Sequence, residues 1–262
     1  MDLDVKRISA IVREAGKIML EAKVSQESAG QKQGEGNFVT VYDVQIQKFL
    51  MEKFTELVPD ATFFGEENVE GNDGGRVGDG MTFIIDPIDG TTNFLFHRQY
   101  SCVSVAVAWA GALVAGFIYT PYTDDMYIAV RGLGCFHNGR RVRMEDLPLE
   151  KGVLGFNCAR YYNDHLDVFF DLVKNLFGRC LAIRSGGSAA LDLAHVVTGG
   201  SVAYMETVLQ PYDYAAAAVM IEEAGGRIVQ MDGSAISIRR PCSILAGTRT
   251  AVSQILKVIR EE

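Results

Sequence analysis

The segment FIIDPIDGTTNF, Phe83–Phe94, leads from apolar, β-prone residues directly into two aspartates three positions apart. On a regular strand, Asp86 and Asp89 would point to opposite faces of the sheet. Pro87 between them and Gly90 after them can break this alternation and turn both carboxylates toward one point. Like charges at such short range repel, so we expect a cation between them. A divalent ion that prefers oxygen ligands, magnesium above all, fits this requirement.

The same residues also allow a purely structural interpretation, in which Asp89 caps the following helix and Gly-Thr-Thr forms its first turn. Two further acidic sites favour a functional role. Glu66 and Glu67 follow a short apolar strand, where the alternative is a solvated loop. Asp213 lies in the first turn of a helix-forming segment that ends at Gly225. Taken together, these carboxylates indicate a metal centre rather than a helix cap.

Composition and charge narrow the class of protein. The 262 residues are 48% hydrophobic, which is enough for sizeable packed cores. The net charge is -8, from 33 acidic and 25 basic residues, and no run of lysine or arginine is dense, so nucleic acid is not expected as a partner. The five cysteines include no C-x-x-C pair, which is typical of reduced thiols in a cytoplasmic protein. The first residues do not resemble a secretory signal.

One uncharged segment, residues 99–123, is long enough to cross a bilayer. Within it, however, Val103, Val105 and Val107 alternate with small residues, and Gly111 separates them from a second apolar run. Two paired, buried strands explain this pattern better than a membrane helix does. We therefore expect no association with a membrane.

Hydrophobic periodicity divides the chain into two parts. Residues 1–147 open with two amphipathic helices, and the strand-like segments that follow, one of them ending at Ile85, suggest a largely antiparallel sheet. Residues 148–262 alternate helices with short strands, which is typical of an α/β layer. The expected fold class is thus mixed α+β and α/β. We expect one compact catalytic unit, with the metal in the first part and with Asp213 and substrate contacts supplied by the second.

Several motifs together resemble the inositol monophosphatase family of magnesium-dependent, lithium-sensitive phosphatases. They are VTVYD (Val39–Asp43), GEE (Gly65–Glu67), DPIDGTTNF (Asp86–Phe94), RSGGSAAL (Arg184–Leu191) and the segment around Asp213. DPIDGTTNF matches the first signature of the family at every position. The second signature, W-D-x-A-A-G, here reads YDYAAA, with Tyr212 for tryptophan and Ala217 for glycine. The resemblance extends through nearly the whole chain and implies a layered αβαβα sandwich.

The resemblance also implies roles for individual residues. The metal ligands would be the carboxylates of Glu66, Asp86, Asp89 and Asp213 and the main-chain carbonyl of Ile88. The phosphate would be bound by the backbone N–H groups of Gly90, Thr91 and Thr92. The attacking water would be positioned and activated by Thr91, Asp43 and Glu66. The polyol part of the substrate would meet Glu206 and the turn formed by Gly187, Ser188 and Ala189.

The expected function is that of a cytoplasmic, magnesium-dependent phosphomonoesterase, which hydrolyses inositol monophosphate or a similar polyol phosphate by direct attack of a metal-activated water. Lithium sensitivity and a homodimer are implied by the resemblance. The D-x-D-G-T spacing of haloacid-dehalogenase phosphatases is absent, as are G-x-S-x-G, the P-loop and H-E-x-x-H. Two alternatives remain: a fructose-1,6-bisphosphatase or histidinol-phosphatase on the same scaffold, and a regulatory binding protein that keeps the fold.

Overall fold

The computed structural model describes residues 3–24, 30–31, 38–72, 77–158 and 166–261. Within these ranges the helices are α1 (Val5–Glu21), α2 (Val41–Leu57), α3 (Thr91–Leu95), α4 (Leu166–Phe177), α5 (Ala189–Val197), α6 (Pro211–Ala224) and α7 (Arg249–Glu261). The strands are β1 (Gly30–Gln31), β2 (Phe38–Val39), β3 (Thr62–Gly65), β4 (Met81–Asp89), β5 (Cys102–Trp109), β6 (Ala112–Thr120), β7 (Asp125–Val130), β8 (Gly134–His137), β9 (Arg140–Val142), β10 (Val153–Asn157), β11 (Ala182–Arg184), β12 (Ala203–Leu209), β13 (Arg227–Val229) and β14 (Cys242–Gly247).

Helices α1 and α2 pack on a seven-stranded sheet of order β3-β4-β5-β6-β7-β8-β9. Each helix buries the apolar stripe that the sequence predicts, including Ile8 in α1 and Leu50 in α2. Phe54 of α2 stacks on Phe83 of β4 with ring centroids 4.1 Å apart. Strand β3 is parallel to β4, and the other neighbouring pairs are antiparallel. The predicted antiparallel sheet with two helices is confirmed, with β3 as a parallel edge strand.

The uncharged segment forms the antiparallel pair β5 and β6, in which Val103 lies opposite Tyr119. Ala110 and Gly111 connect the two strands with φ values of 49° and 78°, as a two-residue hairpin turn requires. The prediction of paired, buried strands is therefore correct. Across the described residues, no helix combines the length and the apolar content that crossing a membrane requires.

The second sheet has five strands in the order β11-β10-β12-β14-β13. Strand β10 is parallel to β11 and β12, whereas β14 is antiparallel to β12 and β13. Helices α4 and α7 cover its outer face, where Phe169 and Leu172 of α4 and Ile255 of α7 belong to the same buried cluster as Leu245 of β14. This sheet is the mixed α/β half that the sequence predicts.

Helices α5 and α6 form the layer between the two sheets. α6 is buried on nearly every side because it contacts strands of both, and its alanines, Ala215–Ala218, keep it thin enough to fit. Gly116 of β6 is needed at this contact, since a Cβ there would collide with the carbonyl of Ala216. The order of layers is αβαβα, as predicted. The division of the chain at residue 147 into two halves stays a prediction.

The helix expected directly after Asp89 is present as the short α3, whereas the sequence analysis did not predict β8 or β9. Each has five residues or fewer, which is too short for periodicity to show. β8 pairs with the edge of β7, and β9 pairs with β8. Such strands depend on tertiary contacts rather than on their own composition.

Candidate active site

The two aspartates of the opening motif lie within β4, and a bulge lets them share a face. Asp86 is opposite Ser104 of β5 and Asp89 is opposite Cys102, so β4 takes three steps where β5 takes two. The additional residue cancels the alternation that would otherwise separate positions i and i+3. The strand therefore does not end at Ile85, as the sequence suggested, but continues through Pro87 to Asp89.

The alternative role of Asp89 as a helix cap is wrong. Gly90, with a φ of 86°, is the N-cap residue of α3 and makes no side-chain capping bond. Because this backbone conformation suits glycine, the chain can leave β4 and enter α3 at once. The Asp89 carboxylate is consequently available to the cluster described next.

Three carboxylates meet at the end of β4. Asp86, Asp89 and Asp213 each offer an oxygen atom, and these atoms lie within 4.8 Å of one another. Asp213 reaches the cluster from the first turn of α6, where it also accepts a hydrogen bond of 2.6 Å from the N–H of Gln210. Asp86 and Asp89 are buried and Asp213 is partly buried.

The electrostatics of this cluster favour a bound cation. Burial and the neighbouring Glu66 carboxylate raise the pKa of Asp86 well above its ordinary value. Burial and the Asp89 carboxylate do the same to the pKa of Asp213. Burial raises the pKa of Asp89 to about 6, although hydrogen bonds from Ser188 and Ala190 oppose the shift. These hard oxygen donors are unfavourable as anions on their own, and their number and type fit magnesium.

The cluster opens into a cavity of about 410 Å³. The predicted site residues that line this cavity are Glu66, Asp86, Ile88, Asp89, Gly90, Thr91, Thr92, Gly187, Ala189, Glu206 and Asp213. Asp43 and Ser188 are predicted site residues that lie behind its wall. The fold thus brings together residues that are far apart in the chain, from both sheets and from the layer between them.

Asp43 is connected to the cavity through Thr91, which lines it. The Thr91 hydroxyl lies 3.2 Å from Oδ1 of Asp43 and 3.0 Å from the carbonyl oxygen of Ile88, so it can donate to either. The other oxygen of Asp43 accepts a 2.7 Å hydrogen bond from the N–H of Thr40, which closes the capping box of α2. Asp43 is fully buried, and the helix cap holds it in place for Thr91.

Ser188 contacts Asp89 instead of the cavity. Its hydroxyl donates to Oδ2 of Asp89, and so does the N–H of Ala190, at 2.8 Å. The N–H of Ala189 lies 3.3 Å from the other oxygen. The N-terminus of α5 therefore binds the Asp89 carboxylate, in agreement with the helix dipole. The predicted substrate contact of Ser188 stays a prediction, and the signal overlooked in the sequence was a serine in N-cap position before a helix.

Glu206 lines the cavity from the middle of β12. It is buried, and it accepts a hydrogen bond from the hydroxyl of Tyr204, two residues earlier on the same strand. Burial raises the pKa of Glu206 to about 8. Glu206 and the acidic cluster therefore line the same cavity.

Sequence reasoning missed several residues of the cavity wall. Asn157, at the end of β10, lies beside Glu206 because β10 and β12 are parallel neighbours. Arg98, Cys158 and Ser185 also line the cavity. Residues 157 and 158 lie outside the family motifs, and a parallel pairing between distant segments leaves no local signal in the sequence.

The two departures from the second signature are both packing residues. Tyr212 meets Phe64 edge to face, with ring centroids 6.0 Å apart. Ala217 is fully buried within α6. Neither side chain lines the cavity.

Comparison with known proteins agrees with this site. The sequence profile of the inositol monophosphatase family matches residues 4–262. An inositol-1-monophosphatase of Mesorhizobium japonicum is 34% identical over 231 residues, which cover 87% of this chain and 85% of that protein. The Nus factor SuhB of Escherichia coli is 30% identical over 255 residues, covering 95% and 93% of the two chains.

A solved structure shows the same architecture. The extragenic suppressor protein suhB from Bartonella henselae superposes with a TM-score of 0.87 and 28% sequence identity, and the match covers 97% of each chain. The family profile spans nearly the full length, and the layered fold brings the carboxylates of DPIDGTTNF and Asp213 into one cluster. The chain therefore belongs to the inositol monophosphatase family.

Proposed function

We propose that the protein is a cytoplasmic, magnesium-dependent phosphomonoesterase that hydrolyses inositol monophosphate or a similar polyol phosphate. One observation carries the proposal: a cluster of three carboxylates and the buried Glu206 line the same cavity of about 410 Å³. A phosphate at the cluster and hydroxyl groups near Glu206 would share this cavity. Membership in a phosphatase family and the name of the Mesorhizobium japonicum relative support this assignment.

Glu66, Asp86, Asp89, Asp213 and the carbonyl of Ile88 would hold the magnesium. When bound, the metal supplies positive charge that activates a water and stabilises the leaving oxygen of the ester. The acidic cluster would otherwise repel a phosphate, so occupancy by the metal is a condition for substrate binding as well as for the reaction.

The chain's own residues would orient the reactants. When the Thr91 hydroxyl donates to Asp43, its oxygen keeps lone pairs that can accept a hydrogen bond from the attacking water. Gly90, Thr91 and Thr92 line the cavity beside the cluster, where their backbone N–H groups would bind phosphate oxygens. Water attacks the phosphorus directly in this scheme, and no covalent phosphoenzyme is formed.

A phosphate-release assay tests the proposed function. The substrates are inositol 1-phosphate, fructose 1,6-bisphosphate, histidinol phosphate and p-nitrophenyl phosphate, each with magnesium and with a chelator. We expect release from inositol 1-phosphate at the highest kcat/KM, and only with magnesium. Activity that survives the chelator would contradict the metal mechanism, and a preference for fructose 1,6-bisphosphate or histidinol phosphate would reassign the substrate.

Lithium inhibition and a homodimer belong to the same proposal. Lithium would replace one magnesium ion, so inhibition should appear in a titration at fixed magnesium. A flat titration would remove this part of the proposal.

Light scattering during size-exclusion chromatography should give twice the chain mass of 28.7 kDa. A single-chain mass would remove the homodimer.

A second candidate function is regulatory binding to another macromolecule, because one relative is named as a Nus factor. A binding role alone would not require the carboxylate cluster at the end of β4. An Asp89→Asn variant distinguishes the two functions. It should lose phosphatase activity and retain any surface used for binding.

A further inference from the structure

A chain of hydrogen-bonded side chains runs from Glu206 into the interior. Tyr204 donates to Oε2 of Glu206, and the Tyr204 oxygen lies 3.1 Å from Nδ2 of Asn157. The same Nδ2 is 2.9 Å from Oδ2 of Asp192 on α5, and Oδ1 of Asn157 is 2.6 Å from the hydroxyl of Ser185. These groups connect β10, β12 and α5, and three of them, Glu206, Asn157 and Ser185, line the cavity.

The direction of these hydrogen bonds is fixed by the chemistry of Asp192. A carboxylate accepts only, so the Asn157 amide must present its NH₂ group toward Asp192 and its oxygen toward Ser185. Both amide hydrogens are then used, one on Asp192 and one on the Tyr204 oxygen. A phenol has a single proton, so Tyr204 must donate that proton to Glu206.

Asp192 also accepts a hydrogen bond from a residue outside this network. The hydroxyl of Tyr100 donates to Oδ1 of Asp192 at 2.7 Å and lies 3.2 Å from Nδ1 of His195. Asp192 and Tyr204 are buried. Asp192 is therefore fixed by Tyr100 as well as by Asn157, and Asn157 in turn contacts Tyr204.

In the described part of the chain, Glu206 has no hydrogen-bond partner besides Tyr204. One carboxylate oxygen is fixed by the phenol, and the other is left for a ligand in the cavity. We propose that Tyr204 is a positioning residue for substrate selection: it holds Glu206 so that Oε1 meets the hydroxyl groups of a polyol phosphate, and Asn157 sets the direction of its hydrogen bond. This inference rests on the proposed function.

The physical advantage is preorganisation. A free glutamate side chain loses rotamer freedom when it binds a ligand, and a side chain already fixed by a hydrogen bond loses less. In the proposed function the phosphate binds at the carboxylate cluster and not at Tyr204, which does not line the cavity. Loss of the phenol hydroxyl should therefore affect only substrates that carry hydroxyl groups for Glu206.

The kinetic test compares Tyr204→Phe, Glu206→Gln and the double variant, with inositol 1-phosphate and p-nitrophenyl phosphate as substrates. For Tyr204→Phe we expect kcat/KM for inositol 1-phosphate to fall about tenfold, mainly through KM, while p-nitrophenyl phosphate changes less than twofold. In the Glu206→Gln background the same change should have a smaller effect, because the carboxylate that Tyr204 positions has been replaced by a neutral amide. Equal losses on both substrates, or additive losses in the double variant, would contradict the positioning role.

Tyr119→Phe is the matched control. Tyr119 is also buried and its hydroxyl also donates to a carboxylate, Asp124 at 3.0 Å, but Asp124, unlike Glu206, does not line the cavity. We expect this variant to keep the wild-type ratio of the two kcat/KM values. Thermal melting of each variant verifies that the fold is retained.

A titration that needs no substrate separates this inference from the proposed function. In metal-free protein with ¹³C-labelled glutamate, the side-chain carboxyl signal of Glu206 is identified by its loss in Glu206→Gln. Removing the Tyr204 donor should raise the pKa of Glu206, while Asp89 and Asp192, the other charged groups that act on it, stay in place. An unchanged pKa would overturn the inference. If the wild type hydrolyses p-nitrophenyl phosphate but no polyol phosphate, the substrate class is wrong, and the titration decides the role of Tyr204.

Discussion

At the scale of single residues, the candidate site depends on carboxylates whose settings differ. The oxygens of Asp86, Asp89 and Asp213 lie within 4.8 Å of one another, whereas Glu206 lies outside this cluster and accepts a hydrogen bond from Tyr204. The first group suits a multivalent cation and the second suits neutral hydroxyl groups. Substitution of one residue from each group therefore tests two separate parts of the function.

Asp89→Asn should reduce turnover by about a thousandfold or more while the protein stays folded. The amide keeps the shape of the side chain but removes one negative charge from the ligands of the metal. Phosphate release at saturating magnesium measures the loss. Asp124→Asn is the control, because Asp124 pairs with Arg13 on the surface and does not line the cavity. A folded Asp89→Asn protein with nearly wild-type turnover would exclude Asp89 from the metal site.

Glu206→Gln should lower kcat/KM for inositol 1-phosphate by roughly ten- to a hundredfold and leave p-nitrophenyl phosphate nearly unchanged. Above pH 8, where Glu206 is ionised, a hydrogen bond to this charged group contributes about 1.5–3 kcal/mol, and only the polyol substrate makes one. The kcat/KM values of the variant for both substrates, compared with those of the wild type, test this prediction. An equal fall for both would place Glu206 with the metal or phosphate, and no fall for either would make it a structural acid.

At the scale of elements, the site lies where α5 and α6 begin, next to the end of β4. The N-terminus of α5 binds Asp89, and the first turn of α6 supplies Asp213. Both helices lie in the layer between the sheets, so their positions depend on close packing of small residues. A change in that packing should therefore affect stability first and the site as a consequence.

Gly116→Ala should destabilise the protein by about 1–3 kcal/mol or more, because the new methyl group would collide with the backbone of Ala216 and push α6 from β6. Urea unfolding followed by circular dichroism measures the change. Gly80→Ala is the matched control, since a Cβ at Gly80 meets no atom within 4 Å. If the two variants are equally stable, the close approach of α6 and β6 is not required.

At the scale of the whole molecule, the excess of buried acidic groups links stability to pH and to metal. The folded-state pKa of Asp89, about 6, and that of Glu206, about 8, lie above the ordinary values of 3.8 and 4.5. The folded protein consequently binds more protons than the unfolded chain between about pH 4 and pH 8. Stability without metal should fall as the pH rises through this window.

Thermal melting from pH 5 to pH 8 tests this linkage. In the presence of a chelator, Tm should decrease as the pH rises. Magnesium should raise Tm, and the increase should grow with pH because the metal binds the ionised carboxylates. Asp125, Asp146 and Asp232, whose pKa values are lowered, act mainly below pH 4 and do not offset the trend. A Tm without metal that is constant or rises with pH would contradict the raised pKa values.

The family and the layered fold class could be predicted from the sequence alone, and so could the candidate carboxylates that the fold brings into one cavity. DPIDGTTNF and the Asp213 segment are local patterns, and the helices α1, α2 and α6 are visible as periodic or bounded segments because their signals lie within a few residues of one another. The hairpin of β5 and β6 was predictable for the same reason. Side-chain chemistry and short-range spacing are properties of the chain before it folds.

The contacts between these residues depend on the tertiary structure. The bulge that brings Asp86 and Asp89 to one face depends on the register between β4 and β5. The contact of Ser188 with Asp89 and that of Asn157 with Tyr204 join residues 99 and 47 positions apart. Such contacts are set by the packing of whole sheets and helices, because strand register and helix position are fixed by interactions between distant segments. For that reason, the carboxylates could be named from the sequence, while the hydrogen bonds that hold them could not.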